Sequence, residues 1–241
     1  MLSPEATQNA PAPHVSGEDE RELKFALPIG RVHLARRWLE RVCRRDPEFP
    51  AAIVWTIYYD TPALVSLAGK INSDYLKRKI RIRWYSDLHG RVSGPAFVEA
   101  KLRVGTRRSK VRERLSWAAG EIAQWSLQDS RLLTIPSLLR QHGILGHESW
   151  QPLMLLRYRR DRFLDLPTRS RVSLDADIAG VAVHPRLVPG DRSPLASAVL
   201  EVKGSGDRLP RTLKPLLHLG IHKRSFSKFL TVYAHMMREV L

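Results

Sequence analysis

Polar and apolar residues alternate with a period of two along much of the chain, and this pattern predicts β-strands. In the segment 77–85 (KRKIRIRWY) the odd positions are cationic up to the final tyrosine, and Ile80, Ile82 and Trp84 occupy the even positions. One interpretation is a solvated edge strand that Lys and Arg keep soluble. Four like charges on one face repel each other, however, so a concave site for a multiply charged anion explains them better.

Further segments alternate in the same way, with acidic and basic residues mixed on the polar face. In the first of them, predicted as a strand over about 18–26, Glu20, Glu22 and Lys24 share one face. The same arrangement recurs in the segments 97–103, 171–178 and 199–203, and in a further segment Tyr158, Arg160 and Arg162 alternate with charged residues. One charged strand makes a surface, whereas six indicate the inside of a tube.

Other parts of the chain have helical spacing or the composition of a buried strand. Val32, Ala35 and Leu39 predict a helix over 31–45. β-branched and aromatic residues predict a strand over 53–59. Further strands and helices are expected at 153–164 (strand), 63–69, 120–142, 210–219 and 226–240 (helical).

The basic stretch 105–114 is interpreted as a connection rather than as a strand. It borders the proposed site, so we expect that it could close over a ligand. Lys110 and Arg112 on this connection are candidates for the lining of an exit from the tunnel.

Charged strand faces that point inward are stable only if the apolar faces on the other side are covered. The predicted helices supply that cover, so we expect an α+β fold in which helices wrap a strand tunnel with a charged interior. Residues 1–17 are rich in Pro, Ala and Ser and are predicted to be a disordered tail. Residues 18–241 are predicted to form one domain.

Composition restricts the function classes. The formal charge of +16 over 241 residues predicts an anionic partner such as a nucleotide, polyphosphate, nucleic acid or an acidic membrane. Cys43 is the single cysteine, which excludes an internal disulfide and fits a reducing compartment. No apolar run approaches the roughly 20 residues of a membrane helix, and no signal peptide is recognisable. We therefore expect a cytoplasmic protein without a membrane span.

Eight short motifs, in order, carry a resemblance to a known family. They are ERELKF (20–25), YYDTP (58–62), KRKIRIRWY (77–85), FVEAKLR (97–103), RYRRDRF (157–163), RVSLDADI (171–178), VLEVKG (199–204) and SFSKFL (225–230). Together they resemble the VTC-type polyphosphate polymerase domain of the triphosphate tunnel metalloenzyme superfamily. The resemblance implies an eight-stranded antiparallel β-barrel tunnel and a stand-alone bacterial type of protein.

Two features leave the branch of the superfamily open. Glu20, Glu22 and Lys24 also fit the E-x-E-x-K signature of the CYTH branch, whose members hydrolyse triphosphate or cyclise ATP. Phe229 stands where the VTC pattern commonly has Tyr. The Ser-Lys-aromatic ending and the RYRRDRF segment favour VTC.

The resemblance implies roles for individual residues. Phosphate contacts would come from Lys24, Arg81, Arg83, Lys101, Arg160 and Lys228, with Tyr158 and Ser227 beside them. Glu201 would be the principal ligand of a Mn²⁺ or Mg²⁺ ion, and Glu22 a possible second ligand. The residues expected to carry the catalysis are Arg81, Arg83, Lys101 and Glu201.

Some of these residues have a structural alternative. Glu99 is as well explained by an ordinary ion pair with Lys101, and Tyr158 by simple packing. Asp175 and Asp177 are better explained by pairing with Arg171 or with neighbouring strands.

Three functions remain open on the sequence. The first is a polyphosphate polymerase that uses ATP, and the second is a hydrolase of inorganic or nucleoside triphosphate in which Glu20 or Glu22 orients water. The third is a polyanion or nucleic-acid binder without catalysis. Acids within the basic strands argue against DNA or RNA as a ligand.

Overall fold

The computed structural model describes residues 21–72, 75–105, 107–143 and 149–238. The predicted tail and Glu20 lie outside these residues. The strands are β1 (Arg21–Pro28), β2 (Arg44–Arg45), β3 (Ala51–Asp60), β4 (Leu76–Ser86), β5 (Pro95–Val104), β6 (Arg107–Ala118), β7 (Gln151–Asp165), β8 (Ser170–Val183), β9 (Ser197–Gly204) and β10 (His222–Lys223). The α-helices are α1 (Val32–Val42), α2 (Val65–Ile71), α3 (Ala119–Ile122), α4 (Ser130–Thr134) and α5 (Lys228–Met237), and the 3-10 helices are Ile29–Arg31, Ile135–His142 and Arg211–Leu219. Within the described residues no helix has the length and apolar character needed to cross a membrane.

All strand pairs are antiparallel, and the order in the sheet is β10-β1-β9-β8-β7-β3-β4-β5-β6, with β2 paired to β7. Eight of the strands are long, and the other two have two residues each. Within the described residues β1 and β6 do not pair, so the sheet is not a closed barrel. The expected α+β tunnel of antiparallel strands is confirmed, and eight-stranded barrel is an approximate description.

The strand register brings the predicted charged faces together. Arg81 on β4 lies directly opposite Glu99 on β5, and on its other side opposite Tyr58 on β3. Lys24 on β1 lies opposite Glu201 on β9 in the same way. Directly opposed residues of antiparallel strands point to the same face, so the charged positions of neighbouring strands line one common surface. We call this surface the lumen.

Two apolar clusters cover the outer faces of the strands. One packs Leu174 and Leu200 against Leu39 of α1 and Leu213 of a 3-10 helix. The other contains the residues predicted to lie behind the basic face of β4 and their partners from the helices after β6: Ile80, Ile82, Trp84, Ala119, Ile122, Leu132 and Leu139. The helices therefore cover the apolar faces as the sequence predicts.

A third cluster fills the apolar part of the interior. Tyr58 and Leu156 of the strands pack there against Phe229, Val232 and Met236 of α5. The Tyr58 and Phe229 rings stack with their centroids 4.6 Å apart. Helix α5 therefore packs on the lumen side of the sheet, and its N-terminal residues reach the charged part of the lumen.

The stretch 105–114 is the main error in the predicted elements. It was expected to be a connection that could close over a ligand, but Arg107–Ala118 forms strand β6, which pairs with β5. Val111, Leu115 and Trp117 pack on the outer core, and Lys110 and Arg112 take the opposite face. The outer face of β6 also carries charged residues, so the alternation of polar and apolar positions is not visible in the sequence.

The alternation predicted for β8 ends early. Asp175 is fully buried on the lumen side, whereas Asp177 is exposed and has a left-handed backbone with φ of 53°. Because the backbone leaves the extended conformation at this point, Asp177 does not continue the face of Asp175.

Candidate functional site

A buried carboxylate from β5 organises three arginines of the lumen. Glu99 is 2% exposed and accepts hydrogen bonds from Arg81, with Nε and Nη2 at 2.7 and 2.5 Å. Arg83 and Arg112 each approach it to 3.5 Å. Burial raises the pKa of Glu99, but Arg81 and Arg83 outweigh this effect and hold the pKa well below its usual range. Glu99 is therefore an ionised group that orients these guanidinium groups. In the described part of the chain its ion-pair partners are arginines rather than Lys101, the partner expected from the sequence.

A second buried cluster joins β7, β8, β9 and α5. Asp175 accepts two hydrogen bonds from Arg160, at 2.6 and 2.7 Å, and forms an ion pair with Lys228 at 2.6 Å. Lys228 also donates to Glu201 at 2.9 Å. Asp175 thus pairs with Arg160 of the neighbouring strand β7, which is one of the two alternatives predicted, and also with Lys228 of α5.

Glu201 is surrounded by cations. Besides Lys228, it lies 3.5 Å from Arg160 and 3.9 Å from Lys24. Burial raises the pKa of Glu201, but Lys228, Arg160 and Lys24 together keep it well below the usual range. The carboxylate is therefore charged at neutral pH and fixes the cations on its three sides.

Glu22 and Glu201 are the carboxylates that would hold a metal ion. They lie on the paired strands β1 and β9, two positions out of register and so on the same face, and Glu22 is also 3.6 Å from both Lys24 and Lys203. Burial and the nearby Glu201 raise the pKa of Glu22, but Lys24, Lys203 and Lys101 together lower it below its usual value.

These two carboxylates fit a hard divalent cation, because Mg²⁺ and Mn²⁺ prefer anionic oxygen ligands. Within the described ranges no group of three or more His, Cys, Asp or Glu side chains gathers in one place. Of the described residues, these two carboxylates would therefore serve as ligands, and phosphate oxygens and water would complete the coordination.

Lys101 and Lys110 face each other directly across β5 and β6. Both side chains are open to water. The protein around the Lys101 amine nevertheless displaces part of the bulk water, and this loss of hydration, together with the charge of Arg81, lowers the pKa of Lys101 to about 7. An anion placed between these lysines would favour the protonated form of Lys101.

The N-terminus of α5 carries Ser227 and Lys228 into the lumen. The Ser227 hydroxyl caps the helix by accepting from Leu230 N at 3.4 Å, and it accepts from Lys79 Nζ at 3.1 Å. The Tyr158 ring is buried between Arg160 and Lys228, whose cationic groups lie 5.4 and 5.0 Å from its centroid. Tyr158 therefore packs against cations that were themselves expected to bind phosphate.

Tyr58, the first residue of the YYDTP motif, is a lumen residue whose role the sequence did not indicate. Its hydroxyl lies 3.4 Å from Arg81 Nη1, and Lys79 Nζ lies 5.6 Å from its ring centroid. Burial raises the pKa of Tyr58, but Arg81 and Lys79 outweigh it and lower the pKa to about 7. The position of Tyr58 opposite Arg81 in the register was the signal that could have identified it.

The predicted site residues converge on one charged lumen in this way, apart from Glu20, which lies outside the described part of the chain. The fold and the lumen define an anion-binding tunnel protein. The family model for the VTC domain matches residues 19–237, so the chain belongs to the VTC domain family. This family is part of the triphosphate tunnel, or CYTH-like, superfamily.

Several solved structures are similar to this chain at low sequence identity. HpAC1 from Hippeastrum, described as a candidate adenylyl cyclase with a dominant triphosphatase activity, is 16% identical with a TM-score of 0.51, covering 92% of this chain and 97% of its own. Candidate adenylate cyclases from Vibrio parahaemolyticus and Bacillus halodurans are each 12% identical, with TM-scores of 0.47 and 0.48. They cover 90% and 87% of this chain, and 99% and 95% of their own. A search of curated proteins gives no match.

Proposed function

We propose that this protein is a metal-dependent polyphosphate polymerase, which transfers the γ-phosphate of ATP to a growing polyphosphate chain inside the lumen. The observation that carries the proposal is the convergence of cations from different elements on one surface. They are Lys24 of β1, Arg81 and Arg83 of β4, Lys101 of β5, Arg160 of β7 and Lys228 of α5.

Phosphoryl transfer depends mainly on positioning and on neutralising charge, because the protein does little covalent chemistry. A terminal oxygen of the chain would bond to the γ-phosphorus while the bond from that phosphorus to the bridging oxygen of ADP breaks. Negative charge then accumulates on the departing β-phosphate. Guanidinium groups fixed by Glu99 and Asp175 are already oriented to stabilise that charge, so little reorganisation is needed during the reaction.

Glu22 and Glu201 are the residues that would hold Mn²⁺ or Mg²⁺. When bound, the ion would withdraw charge from the phosphate oxygens and help to orient the triphosphate. The role of the protein there is to keep both carboxylates ionised, and the lowered pKa values of Glu22 and Glu201 support this.

Hydrolysis of a triphosphate is the second candidate. It is favoured by the fold shared with HpAC1, whose described activity is dominated by triphosphatase. The same cations would bind the substrate, and water would replace the polyphosphate end as the nucleophile. Glu22, which is partly exposed, is the described carboxylate best placed to orient that water.

Incubation of the purified protein with ATP and Mn²⁺, followed by a polyphosphate gel and a phosphate assay, tests the proposal. Polymer that requires metal and disappears with EDTA supports the polymerase. Phosphate without polymer supports the hydrolase and overturns the polymerase. Binding of ATP or polyphosphate without turnover of ATP or inorganic triphosphate would leave a polyanion binder, and a filter-binding assay with RNA would then show whether nucleic acid is its ligand.

A further inference from the structure

Two buried polar atoms without a hydrogen-bond partner lie side by side in the wall of the lumen. Thr56 on β3 is directly opposite Arg83 on β4, so their side chains share the lumen face. Thr56 is 0% exposed and Arg83 is 8% exposed. Within the described part of the chain, neither Thr56 Oγ1 nor Arg83 Nε has a hydrogen-bond partner.

Arg83 differs in this respect from the other buried arginines of the lumen. The Nε of Arg81 donates to Glu99, and the Nε of Arg160 donates to Asp175. Arg83 approaches Glu99 only through Nη1, at 3.5 Å. Its Nε therefore remains a donor that no carboxylate has taken.

A buried hydroxyl without a partner destabilises a folded protein, and valine would fill nearly the same space without that cost. Native proteins satisfy most of their buried polar atoms, so an unpaired group in a binding site suggests a partner that arrives with the ligand. Thr56 has Leu156 opposite it on β7, whereas β4 on its other side brings the cationic residues Arg81 and Arg83. An anionic oxygen is the acceptor that such a place would favour.

We propose that Thr56 Oγ1 and Arg83 Nε donate to one phosphoryl oxygen of an inorganic phosphate chain bound in the lumen. The inference rests on the proposed function, since it assumes that the lumen binds phosphate chains. It adds a neutral hydroxyl donor on β3 to the charged groups of the site. Thr56 would fix the position of one phosphoryl group, because its hydrogen bond is directional.

Calorimetric titration of Thr56→Val and Thr56→Ser with inorganic tripolyphosphate in the absence of metal tests this inference. Loss of a hydrogen bond to an anion should weaken binding to Thr56→Val about tenfold. Thr56→Ser keeps the hydroxyl and should bind like the wild type. Without ligand, Thr56→Val should melt about 2–4 °C higher than the wild type, because an unpaired hydroxyl has been removed.

Thr61→Val is the matched control, because its hydroxyl already has a partner. Thr61 Oγ1 accepts from Val65 N at 3.2 Å, so this variant should melt lower and bind tripolyphosphate normally. Orthophosphate provides a second titration. Weaker binding of orthophosphate to Thr56→Val would mean that a single phosphoryl group occupies the subsite, and an effect on tripolyphosphate alone would mean that the chain is needed.

Unchanged tripolyphosphate binding by Thr56→Val, or a lower melting temperature for this variant, would overturn the inference and leave the proposed function standing. Failure of the wild type to bind tripolyphosphate would overturn both.

Discussion

The guanidinium group of Arg81 donates through Nε to the Glu99 carboxylate at 2.7 Å, and this pair joins β4 to β5 at the wall of the lumen. The Arg81 side chain is 13% exposed and Glu99 is 2% exposed, so the pair is largely shielded from water. A phosphate-binding arginine is thereby held in place before any ligand enters. Arg83, on the same face of β4, has no comparable hydrogen bond to Glu99.

This difference predicts that replacing Arg81 and replacing Arg83 have unequal effects on stability. Arg81→Ala should reduce turnover and also lower the free energy of unfolding by about 2 kcal/mol, because Glu99 loses its main hydrogen-bond donor while buried. Arg83→Ala should reduce turnover with a smaller change in stability. Urea unfolding and a steady-state assay on both variants measure the two effects. Equal stability of the two variants would contradict the assigned role of Glu99.

Glu201 provides a test of the metal site. Glu201→Gln is nearly isosteric but removes the negative charge, so metal-dependent turnover should fall by about 100-fold or more. Excess Mn²⁺ should restore only part of the activity. Glu113→Gln is the matched control, since Glu113 lies on the outer side of β6 beside Gln141 and His142. Wild-type rates for Glu201→Gln, or full wild-type activity in EDTA, would exclude the metal assignment.

The periodicity of the sequence was sufficient to predict most of the lumen. Arg81, Arg83 and Glu99 could be assigned to an inward face because the apolar residues between them alternate without interruption. Strand β6 could not be recognised, since Arg107 and Glu113 place charge on its outer face as well. A period-two pattern disappears when both faces are polar.

Contacts between distant strands were beyond the sequence for a different reason. The partners of Asp175 depend on the register of β7 with β8 and on the entry of α5 into the interior. The pairing of Asp175 with Lys228 joins residues that no local spacing relates. The depressed pKa of Tyr58 is likewise a consequence of its position beside Arg81 and Lys79.

The pKa of Lys101 predicts a pH dependence of ligand binding. Lys101 is charged below its pKa of about 7 and loses its charge above it, whereas an ordinary lysine keeps its charge to about 10.5. Affinity for tripolyphosphate should therefore fall as the pH rises through 7. The Lys101→Arg variant stays charged over this range. The ratio of the wild-type affinity to the affinity of this variant should therefore fall by up to about tenfold between about pH 6 and pH 9.

The free energy of unfolding of the ligand-free protein should rise with pH, whereas the affinity for tripolyphosphate falls. Between about pH 7 and 10.5 the unfolded chain binds a proton at Lys101 that the folded chain lacks, so this group makes stability rise with pH. Tyr58→Phe is the control, because Tyr58 also has a pKa of about 7. A pH dependence that survives in Lys101→Arg and disappears in Tyr58→Phe would assign the titration to Tyr58 instead.

The final prediction separates the polymerase from the hydrolase. A polymerase must hold a lengthening polyanion beyond the reacting phosphates, whereas a hydrolase of a short substrate has no such need. Lys110 was assigned to an exit on a connection, and it lies instead on β6 opposite Lys101. It is a cleaner test than Arg112, because Arg112 also contacts Glu99.

Lys110→Ala should therefore shorten the polymer more than it lowers the initial rate of ATP consumption. The exposed Lys110 contact is screened by salt, so added salt should shorten the wild-type product in the same way. Arg107→Ala removes a cation from the outer face of the same strand and should leave polymer length unchanged. Equal losses of length and rate in Lys110→Ala would place Lys110 at the reacting phosphates. Phosphate as the sole product from ATP would contradict the polymerase and favour the hydrolase, with Glu22 orienting water.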